Sequence, residues 1–407
     1  MWRSGAGAGE RRILLADADA FYVSVARLVD PEGAGKAPFL IVGGTAQGRG
    51  VVTSASYEAR SFGVTSAMPT AQALRLCPQA TVVPVSWQAC AAKSRQIREV
   101  MGRFTPVVEA ASEDEFYLDL SGTERLYKDE PLDATARRIR EAVLCETCLS
   151  VSIGGGTSKL VAKMAATLAK PGGVHIVPPG EEAVFMRRFV LGDIPFVGKR
   201  FVERLLRYNL KTVDDALAAG AANLRAWLGE REGSWLWEKI HGHDGGKVVR
   251  RAAAKSISRD ETFAEDIDDD RRLGTELIRL VDRAAGDLRE AGFLARTVSV
   301  RLRDFDFTDR QAGRTLEEPI LSDQAVLRVA RELLAKLRTA RAVPARLLGV
   351  QISNLVREDV QLSLLATGGS KDESERERAV ARVVDRLRRK LGDDAVAIGR
   401  TPSRRRR

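Results

Sequence analysis

Cysteine and histidine are scarce in this chain, at four and three residues out of 407. So few cysteines exclude a disulfide framework. A structural zinc site needs four ligands. The one C-x-x-C, Cys145 and Cys148, has no second pair and no nearby histidine pair to complete it, so these two are read as reduced helix cysteines. His241 and His243 stand in a glycine-rich loop and are read as loop polars. No apolar run reaches the roughly 18 residues that a membrane-spanning helix needs. Residues 1–10 are Gly/Ala-rich and lack the apolar centre of a signal peptide. The expectation is a cytoplasmic protein.

A hydrophobic content of 44% and a charged content of 29% are those of a globular chain. The length suits roughly two to four domains. The formal net charge is +10. A basic surface attracts polyanions and speeds their capture, although simple solubility accounts for the same charge.

An apolar run over residues 12–16 ends in Asp17 and predicts a buried strand presenting acids at its end. Further strands are predicted over 39–42, 51–56, 115–120 and 150–153. Helices are predicted over 67–76, 87–104, 132–144 and 159–169, the last stopped by Lys170-Pro171-Gly172-Gly173. This alternation implies an α/β domain. Residues 178–249 read as mostly helical, with a boundary at the glycine-rich loop 242–246. The pattern then changes. Helices over 271–291 and 322–339 alternate with strands over 297–303 and 347–355, an α+β unit. In the first of these strands Val298, Val300 and Leu302 point inward, Arg301 and Arg303 outward. A last helix over 375–391 aligns Val380, Val384, Leu387 and Leu391, and the chain ends in the basic run 404–407.

Phosphoryl transfer from a nucleoside triphosphate uses two Mg²⁺ about 4 Å apart, and Mg²⁺ takes oxygen ligands. Two places offer carboxylates at strand ends. In Asp17-Ala18-Asp19, alternation sets both acids on one face. In Glu113-Asp114-Glu115, neighbouring residues of a flat strand point apart. Asp114 and Glu115 therefore share a metal pair only where the strand twists or turns. Either cluster alone also fits a solvated strand end.

Four ordered segments together resemble the Y-family DNA polymerases, and most of all their bacterial DinB (polymerase IV) branch. Asp17-Ala18-Asp19-Ala20-Phe21-Tyr22 resembles the family's opening element. Tyr57-Glu58-Ala59-Arg60-Ser61-Phe62-Gly63-Val64 resembles its fingers signature. Ser112 to Asp119 resembles S-[IV]-D-E-x-Y-L-D. Gly154 through Lys159, Ala162-Lys163 and Ala169-Lys170-Pro171-Gly172 resemble its palm block. The resemblance implies a right-hand polymerase of mixed α/β and α+β domains. Its parts would be a ferredoxin-like palm (1–22 and 86–177), small fingers (23–85), a helical thumb (178–250) and an α+β little finger (254–358), followed by a C-terminal segment (359–407). It implies low-fidelity, template-directed DNA synthesis without proofreading.

By the same resemblance Asp17, Asp114 and Glu115 are the catalytic carboxylates that hold two Mg²⁺, with Ala18 lending a carbonyl; Asp19 is not a ligand. Tyr22 is the steric gate against a ribose 2′-hydroxyl. Tyr57, Arg60, Lys159 and Ser54 hold the triphosphate, a sensible task for a guanidinium fork and an ammonium. The run Gly154-Gly155-Gly156-Thr157-Ser158-Lys159 lacks the adjacent Gly-Lys-[Ser/Thr] of a P-loop, which excludes a P-loop ATPase.

Residues 192–213 resemble a helix-hairpin-helix, which offers backbone N–H groups to a DNA phosphate. Phe196 stands where the motif's first glycine belongs, and Gly198 keeps the second. Arg296, Arg301 and Arg303 fall on the DNA-facing sheet of the little finger by resemblance. Contacts there would be to phosphate, hence salt-sensitive. Gln361-Leu362-Ser363-Leu364-Leu365 resembles the short peptide that grips the sliding clamp. Glu113 replaces the family's usual Ile or Val, adding a negative charge beside the metal carboxylates. The implied partners are primer–template DNA, dNTPs and the clamp, with no membrane and a monomeric chain at the nucleoid. Two rivals are a catalytically silent DNA-bound scaffold, opposed by the intact carboxylate set, and a nucleotidyl cyclase, whose G-G-[DE]-E-F is missing.

Overall fold

The computed structural model describes residues 11–128, 130–250, 254–357, 372–392 and 395–396. The chain divides into two compact units, Met1–Ala252 and Ala253–Arg407. Among the described residues no helix is long and apolar enough to cross a membrane.

The first unit contains β1 (Ile13–Ala18), β2 (Leu40–Gly43), β3 (Val52–Ala55), β4 (Thr81–Val83), β5 (Val108–Ala110), β6 (Glu115–Asp119), β7 (Val151–Gly156) and β8 (Val174–Ile176). Five of them form a sheet of order β5-β6-β1-β7-β8. The central β1 runs antiparallel to both β6 and β7. It lies in the middle because both of its faces are apolar. Leu14, Ala16 and Ala18 pack with Phe116, Leu118 and Ile153 beneath the helices Trp87–Met101 and Leu132–Thr147. Ile13 and Leu15 pack on the other face against Tyr117, Ala162 and Ala166, the last two on the helix Lys159–Ala169.

The triple glycine has a packing role. A Cβ on Gly154 would lie 2.0 Å from the Ala166 backbone nitrogen, so only a bare backbone lets that helix lie directly on β7. This is the physical reason the run is a buried strand rather than a phosphate loop. Strands β3-β2-β4 form a separate small sheet, with the helices Tyr57–Arg60 and Thr70–Leu76 beside it. The expected helix over 67–76 starts only at Thr70, because Pro69 is its extended N-cap and Ala67 has φ +66°. Helices then dominate from Glu182 to Ile240, around a core that includes Leu205, Val213, Leu224 and Leu236.

The second unit is the expected α+β unit. β9 (Ser256–Ile267), β10 (Phe293–Asp304), β11 (Asp309–Ile320) and β12 (Ala345–Arg357) form an antiparallel sheet of order β11-β10-β12-β9. The helices Asp270–Glu290 and Asp323–Ala340 bury Leu277, Leu280, Val326 and Ala330 against Val298, Val300 and Leu302 of β10. The inward alternation expected of β10 holds, with all three residues fully buried. The last helix, Glu375–Leu391, docks differently from its sequence pattern. Val380, Leu387 and Leu391 stay exposed and only Ala381 is buried. Ion pairs attach it instead: Arg289 spans Asp323 and Asp385, and Arg388 grips Asp282. The buried Glu373 accepts from the Leu321 and Ser322 amides and from Arg378.

Candidate active site

Strand register brings the acids together. Asp17 of β1 lies directly opposite Glu115 of β6. The Ala18 amide donates to the Asp114 carbonyl at 2.9 Å. Asp114 and Glu115 escape strict alternation because β6 begins only at Glu115, and the preceding turn is held by Ser112. Its Oγ accepts from the Glu115 amide at 3.0 Å and donates to Asp114 Oδ1 at 2.5 Å. The strand end therefore turns at these two acids.

Asp17 is nearly buried. Burial pushes its carboxyl up to about 6, against the opposing pull of Lys170 and reinforced by Glu115 and Asp114. Two lysines absent from the expected set lie on these acids. Lys170 Nζ is 2.7 Å from Asp17 Oδ2, and Lys163 Nζ is 2.6 and 2.7 Å from the two Glu115 oxygens. The sequence carried one signal for Lys163: it follows Lys159 by four residues, on the same helix face. Lys159 itself is engaged elsewhere, 2.6 Å from Glu109 and 4.5 Å over the Tyr117 ring.

Among the described residues no three acidic, histidine or cysteine side chains are gathered tightly enough to hold an ion. The donor set nonetheless fits hard cations. It is all oxygen, it carries excess negative charge, and it already attracts two ammonium groups. Asp19 lies apart from this set. Its carboxylate turns toward the start of β7, where Ser152 and Ser150, the residue just before the strand, donate to it at 2.7 and 2.6 Å. Alternation fails here because β1 ends at Ala18 and the chain turns at Ala20, φ +43°.

Tyr22 follows that turn, in the helix Phe21–Val29. Its ring meets Phe21 and Trp87 edge-on, with centroids at 5.3 and 6.1 Å. Burial raises its hydroxyl pKa, and Asp114, Cys90 and Glu113 add to the shift. Glu113 is itself exposed. Ser54, Tyr57 and Arg60 form one cluster. The Arg60 guanidinium lies 5.1 Å over the Tyr57 ring, donates to the Ala55 carbonyl at 2.9 Å and reaches Ser54 Oγ at 3.5 Å. Burial and Asp19, despite Arg60, push the Tyr57 hydroxyl up to about 12, so it remains a donor.

In the segment 192–213, Phe196 takes a left-handed conformation, φ +72°, and is 93% exposed. Gly198 precedes the helix Lys199–Leu206 as its N-cap. In the second unit Arg301 and Arg303 both fork onto Asp309 of β11, at 3.0 and 2.8 Å. The segment 361–365 and the basic run 404–407 lie outside the described residues.

The impB/mucB/samB family model matches residues 16–167, and the model of that family's C-terminal domain matches 254–364. A DNA polymerase IV of Dehalococcoides mccartyi is 34% identical over 391 residues, covering 96% of this chain and 97% of that protein. That of Caulobacter vibrioides is 35% identical over 387 residues, 94% of this chain and 92% of that one. In fold, the chain is similar to a Y-family DNA polymerase chimera built on Dbh, with a TM-score of 0.76 at 24% identity, covering 85% of this chain and 99% of that one. DinB from Sulfolobus solfataricus gives a TM-score of 0.57 over the same shares, also at 24% identity. Carboxylates at facing strand ends, the aromatic turn beside them and these relatives over nearly the whole length agree: the chain belongs to the Y-family DNA polymerases, in the polymerase IV branch, and is a template-directed, translesion DNA polymerase.

Proposed function

We propose that nucleotidyl transfer in this polymerase centres on Asp17, Asp114 and Glu115, with Ala18 lending its carbonyl, and that the divalent metal is two Mg²⁺. The observation that carries this is the register pair Asp17–Glu115, with a lysine on each carboxylate. When bound, the metals supply charge neutralisation at the phosphates and activation of the primer 3′-hydroxyl. The chain's residues do the rest. Arg60 and Tyr57 donate to the triphosphate, and Ser54 orients Arg60. Lys170 and Lys163 leave the carboxylates and turn their charge to phosphate. Lys159 joins them only by breaking its contact with Glu109. The Tyr22 ring, braced by Phe21 and Trp87, lies under the sugar and excludes a 2′-hydroxyl.

The domain limits proposed are a palm over 1–22 and 86–177, fingers over 23–85, a thumb over 178–250 and a little finger over 254–358. DNA is held through phosphates, by amides near Gly198 and by the arginines of β10. The polymerase works as a cytoplasmic monomer, grips the sliding clamp through Gln361 to Leu365, and makes low-fidelity products without proofreading.

Primer extension on an undamaged template tests the metal assignment. The parent extends, while Asp114→Ala does not and still binds primer–template. Extension by Asp114→Ala removes it from the metal set. Loss of extension together with loss of DNA binding does not support the assignment.

A further inference from the structure

Asp19 is buried two residues after Asp17, yet it is not among the proposed metal ligands. Both of its carboxylate oxygens are occupied. Oδ1 accepts from Ser152 Oγ at 2.7 Å and from the Tyr57 hydroxyl at 3.4 Å. Oδ2 accepts from Ser150 Oγ at 2.6 Å and from the Gly172 amide at 3.0 Å. The Gly172 amide also reaches Ser152 Oγ at 2.9 Å. The backbone of Asp19 is tied as well, its amide to the Ser150 carbonyl and its carbonyl to Ser24 Oγ.

These four donors are neutral dipoles, and they come from three separate segments: β7 with the residue just before it, the loop after the helix Lys159–Ala169, and the first residue of the helix Tyr57–Arg60. A carboxylate satisfied in this way is a fixed anchor. Two of the anchored segments carry side chains proposed to meet the nucleotide. Tyr57 is held directly. Lys170 sits two residues before Gly172, with its ammonium 2.7 Å from Asp17.

We propose that Asp19 is a positioning residue for the incoming nucleotide. It holds the Tyr57 hydroxyl and the 170–172 loop in one frame with Asp17, so that the cations and donors that receive the triphosphate are set before it arrives. This rests on the triphosphate role of Tyr57 and Lys170.

The test measures equilibrium dNTP binding to enzyme on a primer lacking its 3′-hydroxyl, which has no nucleophile, alongside kcat and KM on the ordinary primer. Asp19→Asn has one acceptor oxygen where the site needs two, and its amide nitrogen opposes a donor. Expected is about a tenfold weaker dNTP affinity, with kcat at saturating dNTP within about threefold of the parent. The Mg²⁺ concentration for half-maximal rate stays that of the parent. The double variant Ser150→Ala/Ser152→Ala keeps the acid, removes two donors and shifts affinity in the same direction; it decides the matter if Asp19→Asn does not fold. Adding Asp19→Asn to the double variant Lys170→Ala/Tyr57→Phe weakens binding little further than that double variant alone.

Parent-like dNTP affinity in both the Asp19 and the serine variants overturns the proposal, while Lys170→Ala and Tyr57→Phe test the underlying triphosphate role separately. If those two bind dNTP like the parent, that role falls and the proposal with it. A changed Mg²⁺ requirement in Asp19→Asn with unchanged dNTP affinity makes Asp19 a metal ligand and also overturns it.

Discussion

Removing the charge of Asp17 should stabilise the metal-free enzyme while destroying its activity. Burial raises the carboxyl from 3.8 to about 6 in the folded chain. At about 1.36 kcal/mol per pKa unit, keeping Asp17 ionised at neutral pH costs the native state up to about 3 kcal/mol. Asparagine has nearly the same shape and no charge. Lys170 loses its partner, but its side chain is 30% exposed and regains water, so the net gain for Asp17→Asn is about 1–3 kcal/mol.

The sign fixes the pH window. A carboxyl whose folded pKa is raised contributes stability that is complete below pH 3.8 and is lost as pH rises through about 6. The advantage of Asp17→Asn is therefore absent near pH 4 and full above about pH 7. All five tryptophans lie at or before position 237, inside the first unit, so their fluorescence follows unfolding of the unit that holds Asp17. The assay is urea denaturation in chelator at several pH values, with primer extension in parallel. The expected result is a higher midpoint for Asp17→Asn at pH 7.5, convergence with the parent at acid pH, and no extension. Equal or lower stability at pH 7.5, or an advantage that grows as pH falls, refutes the reasoning.

Three other outcomes follow from the same geometry. Tyr22→Ala should admit ribonucleotides, and Trp87→Ala, which removes the brace 6.1 Å from the Tyr22 ring, should do so more weakly; unchanged sugar selection in Tyr22→Ala would remove that residue from the gate. Phe196→Gly should raise the stability of the first unit by about 0.5–1.5 kcal/mol, because it relieves left-handed strain and sacrifices no buried surface; a lower melting temperature would show that the exposed ring has a folded-state partner. Asp309→Asn should tighten DNA binding and steepen its salt dependence by about one unit for each phosphate gained. Arg303 and Arg301 hold that carboxylate well below the usual range and are themselves held by it; an unchanged salt slope would mean that these arginines do not face DNA.

Much of the site was legible because the chemistry sits on strong local patterns. An apolar β1 running into Asp17 needs no tertiary information to be read as a buried strand end. Val298, Val300 and Leu302 declare their own inward face. Other strands lack such signals. β4, β5 and β8 have three residues each and are only partly buried, and β9 reads Ser-Ile-Ser-Arg-Asp-Glu, with little apolar alternation. The exposed apolar stripe of the helix Glu375–Leu391 shows the opposite error. Periodicity marks a face without saying that anything covers it, and here buried carboxylates and arginines attach the helix instead.

The lysines at the active centre expose a different limit. A lysine's reach of several rotatable bonds lets its ammonium find whichever anion the fold provides, so sequence position leaves its partner open. Lys159 carried the family signal, and Lys163 and Lys170 stood nearby in the same block. Only the register of β1 against β6, and the return of the chain after the helix Lys159–Ala169, decide that the ammonium groups of Lys163 and Lys170 meet Glu115 and Asp17 while that of Lys159 meets Glu109. Acids at facing strand ends repel without cations, and Asp17 already resists ionisation. Lysines on two of them make the metal-free fold tolerable. In the mechanism proposed above, their long stems let them yield those positions to harder cations and carry their charge to an arriving triphosphate. The same flexibility that hides these partners from the sequence suits them to that exchange.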